Sequence, residues 1–285
     1  MADTDNGIAA GTAEDRDRAF FVGLARAFAG ALIFALPMLM TMEMWSIGFY
    51  IEPFRLALLL LLLIPLLTGL SFFSGFRKTT GLADEVVDSF VAVAVAVAMA
   101  VVILTIFGVV DATMSPREII GKIALQVFPA SIGAVLATDQ LSGEEDLDRE
   151  QKERRNSYPA ELLMMGAGAL FLGLNIAPTE EIVLLSYMMS PWQEIALVVL
   201  SLVLMHGFVY AVGFSGAPEV PRHVPFLSLF LRFTLVGYAL VLVIALYLLW
   251  TFGRTDGTGL QEIISAVVVL GFPCAIGAAA ARIVL

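Results

Sequence analysis

Long apolar stretches alternate with short polar ones along most of the chain, and their length identifies the elements. Residues 90–110 and 233–252 are two such stretches, each almost free of charge. A helix rising about 1.5 Å per residue needs roughly 20 such residues to cross a bilayer. Cut at charges, Gly and Pro, the runs predict eight spans, at 19–42, 54–73, 86–110, 118–138, 161–177, 192–212, 225–252 and 261–285. Transmembrane strands would be about 10 residues long and alternate in polarity, and these runs do neither. The expected fold is all-α, a polytopic membrane helix bundle.

Composition agrees. Hydrophobic residues make up 59% of the chain and charged residues 15%, where a soluble domain has about 25% charged. Residues 1–18 are polar and mostly acidic, without the basic start and small-residue cleavage site of a signal peptide. They read as a disordered cytoplasmic tail. The mixed-sign stretch 139–160 reads as a solvated cytoplasmic linker. A formal net charge of −10 with no basic patch excludes a nucleic-acid partner. The single cysteine, Cys274, lies in an apolar run, so it is expected at a helix contact and not in a disulfide.

Basic residues then orient the spans. One set of loops holds Arg16, Arg18, Arg77, Lys78, Arg149, Lys152, Arg154, Arg155, Arg222 and Arg282, with Arg26 and Arg232 just inside adjoining spans. The opposite set holds only Arg55, Arg117, Lys122 and Arg254. The excess of positive charge marks the cytoplasmic side, which puts both termini and the linker there.

The runs also repeat. Gly30-Ala31-Leu32 returns 138 positions later as Gly168-Ala169-Leu170, and the same offset joins Thr41 to Thr179, Glu43 to Glu181, Pro53 to Pro191 and Gly69 to Gly207. After a six-residue insertion the offset becomes 144, joining Glu118 to Glu262 and Pro129 to Pro273. The phrase around those prolines, FPASIGA at 128–134 and FPCAIGA at 272–278, is nearly identical. The expectation is two parallel four-helix membrane repeats, 19–138 and 161–285, related by an axis along the membrane normal. In each phrase the proline, Pro129 or Pro273, would bend the helix, and the glycine, Gly133 or Gly277, would admit a close neighbour.

The segments ALP, TMEMWSIGFYIEP, LTGLSFFSGFR and NIAPTEEI, with the acidic linker between the last two, resemble a bacterial family of multi-pass integral membrane proteins. The resemblance covers most of the chain after the tail. It implies an inner-membrane location and brings no activity, so no residue role comes with it.

Candidate chemistry rests on acids in apolar surroundings. Glu43 and the pair Glu180 and Glu181 interrupt apolar sequence that resumes at once, with Pro37 and Pro178 just upstream. Proline breaks followed by short apolar pieces predict re-entrant or interfacial elements. A carboxylate near the membrane centre costs about 2.5–3.5 kcal/mol on insertion scales, which makes it a functional candidate. At the outer interface the same acids would simply face water. If the repeat brings Glu43 and Glu181 together, desolvation and repulsion would raise a carboxyl pKa. His206 lies in the sixth span and would form a relay if it faced Glu181; otherwise it is a hydrogen-bonded helix contact. The offset aligns Asp88 with Arg232, an opposite-sign pair that either meets or snorkels separately. The methionines of MLMTMEM have no Cys or His beside them, so neither copper nor another metal is expected, and no cofactor.

Soluble-type enzyme motifs are absent from the chain. The leading expectation is a channel or secondary transporter for a small cation or proton in contact with the lipid bilayer. The competing class is a non-catalytic membrane scaffold or interaction partner, and an intramembrane enzyme ranks third. Oligomeric state does not follow from the sequence.

Overall fold

The protein was analysed as a computed structural model, which describes residues 13–74, 82–140, 157–210 and 230–284. Lipid offers no partner to backbone N–H and C=O groups, so each apolar run closes its hydrogen bonds internally as a helix. In chain order these are α1 (Ala13–Leu39), α2 (Met42–Tyr50), α3 (Pro53–Ser74), α4 (Leu82–Ile106) and α5 (Pro116–Gln140). Then come α6 (Tyr158–Ile176), α7 (Glu180–Met188), α8 (Pro191–Tyr210), α9 (Val236–Thr251) and α10 (Leu260–Val284). A wider π-helical turn, Phe230–Leu235, leads into α9. Among the described residues there is no strand. Eight helical stretches among the described residues are long and apolar enough to cross a membrane, and each overlaps one expected span. The fold is all-α and multi-pass.

Two boundaries differ from the sequence reading. Helix α1 begins at Ala13, inside the stretch 1–18 expected as a tail; acid-rich sequence is favoured at a helix N-terminus by the macrodipole. Residues 1–12 and most of the linker expected at 139–160 lie outside the described residues. Helix α4 stops at Ile106, before the expected end at 110. Gly108 there has φ +69°, and the N–H groups of Val109 and Val110 turn back to the Leu104 carbonyl at 2.9 and 3.1 Å. The positive φ ends the helix and turns the chain toward α5.

Helix α5 packs against α1, α2, α3 and α4, and α10 packs against α6, α7, α8 and α9. The closest crossings are glycine on glycine. A Cβ added at Gly30 would lie within 3.0 Å of the Gly133 carbonyl, and the reverse substitution would strike the Gly30 carbonyl. Gly168 and Gly277 stand in the same relation. Pro129 and Pro273 lie inside α5 and α10, one turn before those glycines. Without side chains between them the backbones approach closely, and dispersion contact replaces the hydrophobic drive that lipid does not supply.

The two halves meet through α3, which lies on α6 and α9, and through contacts of α1 and α5 with α6. Gly69 of α3 faces the Leu163 side chain of α6. Phe34 and Phe171 stack with ring centroids 4.6 Å apart. At the start of α3, Arg55 pairs with Asp256 at 2.8 Å, donates to the Trp250 carbonyl at 2.7 Å and lies 5.0 Å over the Trp250 ring.

Candidate functional site

The short helices arise where the chain cannot continue straight. Pro178 lacks a donor and clashes with the preceding turn, so α6 ends at Ile176, while Pro37 lies in the last turn of α1, which ends at Leu39. Thr41 and Thr179, both extended, then start α2 and α7. Side chains take up the carbonyls exposed at these breaks. Thr41 Oγ1 donates to the Pro37 carbonyl at 2.6 Å, and Trp45 Nε1 to that of Leu39 at 2.9 Å. In the second break Arg254 donates to the Pro178 carbonyl and pairs with Glu180 at 2.7 Å.

The acids named from the sequence sit in the first turns of these helices. Glu43 is half-buried on α2, whereas Glu180 and Glu181 are exposed on α7. The Glu181 carboxyl is held below its usual range, mainly by its own backbone N–H, with the Thr179 hydroxyl and the Arg254 guanidinium adding to it. The expected rise assumed burial, and the exposed helix N-terminus reverses the sign. Glu181 is therefore ionised at neutral pH, and the stability its contacts provide is lost only as pH falls through the acid range.

A second set of polar groups escaped the sequence reading. Glu85, at 5% exposure, accepts a hydrogen bond from the Ser71 hydroxyl across the α3–α4 contact. Thr68 and Ser89 join their hydroxyls at 3.1 Å beside it. The signal was there in the spacing. Thr68 and Ser71 lie three apart on α3, and Glu85 and Ser89 four apart on α4, so each pair shares one helix face. Deeper in α5, Gln126 donates to the Met38 carbonyl at 3.4 Å, and its own side-chain oxygen is buried without a hydrogen-bond partner. Lys122, one turn nearer the α5 start, is also buried. Its Nζ pairs with Glu118 at 2.7 Å and donates to the Val109 carbonyl at 3.0 Å.

His206 does not face Glu181. Its Nδ1 meets the Thr234 hydroxyl at 2.9 Å, and its ring edge packs on Phe230. It lies 15 residues beyond Pro191, roughly 22 Å along α8 from the α7 side. Arg232 is exposed, with its guanidinium 5.9 Å over the Tyr158 ring, and Tyr158 donates to the Arg232 carbonyl at 2.8 Å. Asp88 is half-buried on α4, in the other half of the chain. Among the described residues, no three His, Cys, Asp or Glu side chains come together as a metal site.

Residues 23–285 match a family described as "Putative integral membrane protein (DUF2391)". The chain belongs to this family. No curated protein and no solved structure matches it. The match spans α2 through α10 and all but the start of α1, so both proline breaks and the Glu85 cluster are family territory. As a DUF2391 protein the chain is an integral, multi-pass membrane protein in contact with lipid.

Proposed function

We propose that this protein moves a small cation or proton across the membrane, as a channel or secondary transporter. The observation that carries this reading is Glu85, a carboxyl buried at the start of the α4 span that accepts from the Ser71 hydroxyl, with the Thr68–Ser89 hydroxyl pair beside it. Polar groups of this kind are expensive in a bilayer, and line ion and proton paths where they occur. The buried oxygen of Gln126 adds a neutral ligand of the sort a desolvated cation takes. Irregular backbone at the α1–α2 and α6–α7 breaks is the form that membrane-depth sites use where they line a cavity.

Flux into liposomes containing the purified protein tests this directly. Wild type should carry protons or a monovalent cation. Glu85→Gln and Glu43→Gln should each lower that flux at least tenfold in folded protein. Glu181→Gln is expected to do the same if both short helices serve the route, and Glu180→Gln less, because Arg254 already engages that carboxylate. A silent wild type, or a Glu85→Gln variant as active as wild type, would sink the reading.

The exposed, ionised Glu180 and Glu181 favour a second reading, a non-catalytic scaffold or interaction partner whose acids face water. Silence across common ions would point to it.

The same proposal includes a tandem repeat. The offset of 138 carries Met42–Tyr50 onto Glu180–Met188, and the offset of 144 carries Pro116–Gln140 onto Leu260–Val284. Together the two offsets carry the Gly30–Gly133 crossing onto Gly168–Gly277. Two parallel four-span copies, with termini and linker in the cytoplasm and the protein in the inner membrane, account for these matches and for the basic-residue bias. Reporter fusions after Arg77, Arg149 and Arg222 should then read cytoplasmic, and those near Glu52, Ser115, Ser190 and Gly257 periplasmic. A periplasmic result after Arg149 would break the arrangement.

A further inference from the structure

Apart from the α1–α6 contact, which joins two helices that the repeat makes equivalent, the halves meet heterologously: α3 of the first half lies on α6 and α9 of the second. Gly69 and Arg55 of α3 meet Leu163 of α6 and Trp250 of α9. This inference rests on the repeat proposed above, because the repeat gives each half a copy of both faces. One copy of each is unused within the chain.

The unused faces are open. Gly207, the counterpart of Gly69, has nothing within 4 Å of where a Cβ would stand. Gln193, the counterpart of Arg55, is exposed, and Trp192 beside it is 80% exposed. Helix α8 has only 11% of its span buried, the least of the eight, against 28% for α3. On the first half, Ala25 and Ile106 stand where Leu163 and Trp250 stand on the second, and both are exposed. A two-fold relation between the halves would have joined these two sets within one chain, and it does not.

We infer that the α8 face of one copy docks on the α1–α4 face of a second copy, repeating the contact that α3 makes with α6 and α9. Apolar faces in a membrane meet lipid by default, so exposure alone does not call for a partner. Two features do. A glycine notch on a span is where a neighbouring helix approaches closely, and the same notch one repeat earlier already holds such a neighbour. The operation relating the halves is also heterologous. Applied again, a heterologous contact gives a ring or an open chain. With both repeats inserted the same way, its axis lies along the membrane normal, and successive copies stay in the bilayer plane and close into a ring.

Cross-linking in native membranes tests the contact. In a Cys274→Ala background, one tagged chain carries Ala25→Cys and a differently tagged chain carries Gly207→Cys. A short thiol cross-linker should give a product bearing both tags, at least tenfold above that from either chain alone. Gly69→Cys with Leu163→Cys in one chain should react internally, since that is the contact being copied. Val243→Cys, 64% exposed on another face, should give no product with Gly207→Cys. The mass of the protein in nanodiscs should be a whole multiple, two or more, of 30.6 kDa. A single 30.6 kDa chain would overturn the inference, and so would failure of the internal control. A Val243→Cys yield equal to that of Ala25→Cys would reduce the contact to random collision. An oligomer that cross-links elsewhere but not at 25 and 207 would reject the repeat-derived face. Loss of flux in any liposome experiment bears on the transport reading alone, because cross-linking reads packing.

Discussion

Gly133→Ala should destabilise the protein by about 3 kcal/mol, the upper end of the usual cost of adding one methyl group to a packed core. The new Cβ would lie within 3.0 Å of the Gly30 carbonyl oxygen and of the Phe34 side chain. A flexible side chain can rotate away, but a helix backbone cannot, so relief requires α1 and α5 to separate along their length. Gly277→Ala should cost as much, since its Cβ would meet the Gly168 carbonyl. Valine at either position should prevent folding. Gly23→Ala is the control: nothing lies within 4 Å of its Cβ position, and alanine improves helix propensity by up to about 1 kcal/mol. Thermal unfolding in detergent measures all three. A Gly133→Ala variant within about 0.5 kcal/mol of wild type, the range of ordinary surface changes, would mean that the two helices do not cross at this point.

Lys122→Ala should be nearly as damaging. Its ammonium is buried against Glu118, the Val109 carbonyl and the Met114 sulfur, which it approaches at 3.4 Å. Removing one member of a buried ion pair leaves the other without its counter-charge, at a cost of about 3–5 kcal/mol. Glu118 keeps 19% exposure, so water softens the loss and the lower figure applies. The Lys122 side chain also packs on Gly48 beside its own backbone, so its loss removes part of the contact that holds α2 and Glu43. In a double-mutant cycle, Glu118→Gln should cost less than Lys122→Ala, and the pair together less than their sum. Additive effects would show that the two groups are solvated separately.

The spans were legible because their length and lack of charge are set by the bilayer and not by the partner helices. The breaks were legible too, since Pro37 and Pro178, followed by Pro53 and Pro191, bracket the short helices in the sequence. Facing was not legible. In water a helix shows its buried side by polarity, but in lipid both sides are apolar. Ala31 and Ala35 of α1 are fully buried, while their neighbours Ile33 and Leu36 reach 67% and 46% exposure. Size, small inside and large outside, carries the information that polarity carries in soluble proteins. The buried polar groups were missed for a related reason. Glu85 reads as the charged end of a run, and Lys122 as a residue of the outer loops. Only the packing of α3 on α4, and of α5 among its neighbours, takes them out of solvent. For Glu181 the sequence left membrane depth and the outer interface both open, and the side chain lies exposed at a helix start.

The central position of α5 has a consequence for synthesis. Gly30 reaches its partner only when Gly133 has been made, and Gly168 must wait in the same way for Gly277. At about 5–20 residues per second on the ribosome, roughly a hundred residues of delay is about 5–20 seconds. During that interval α1 stands in the membrane with its glycine notch filled by lipid tails, and the last helix of each half arrives as a wedge that has to displace them. Biogenesis of this protein thus passes twice through an incomplete bundle, and an insertase or membrane chaperone that shelters small-residue helix faces would act at those two moments.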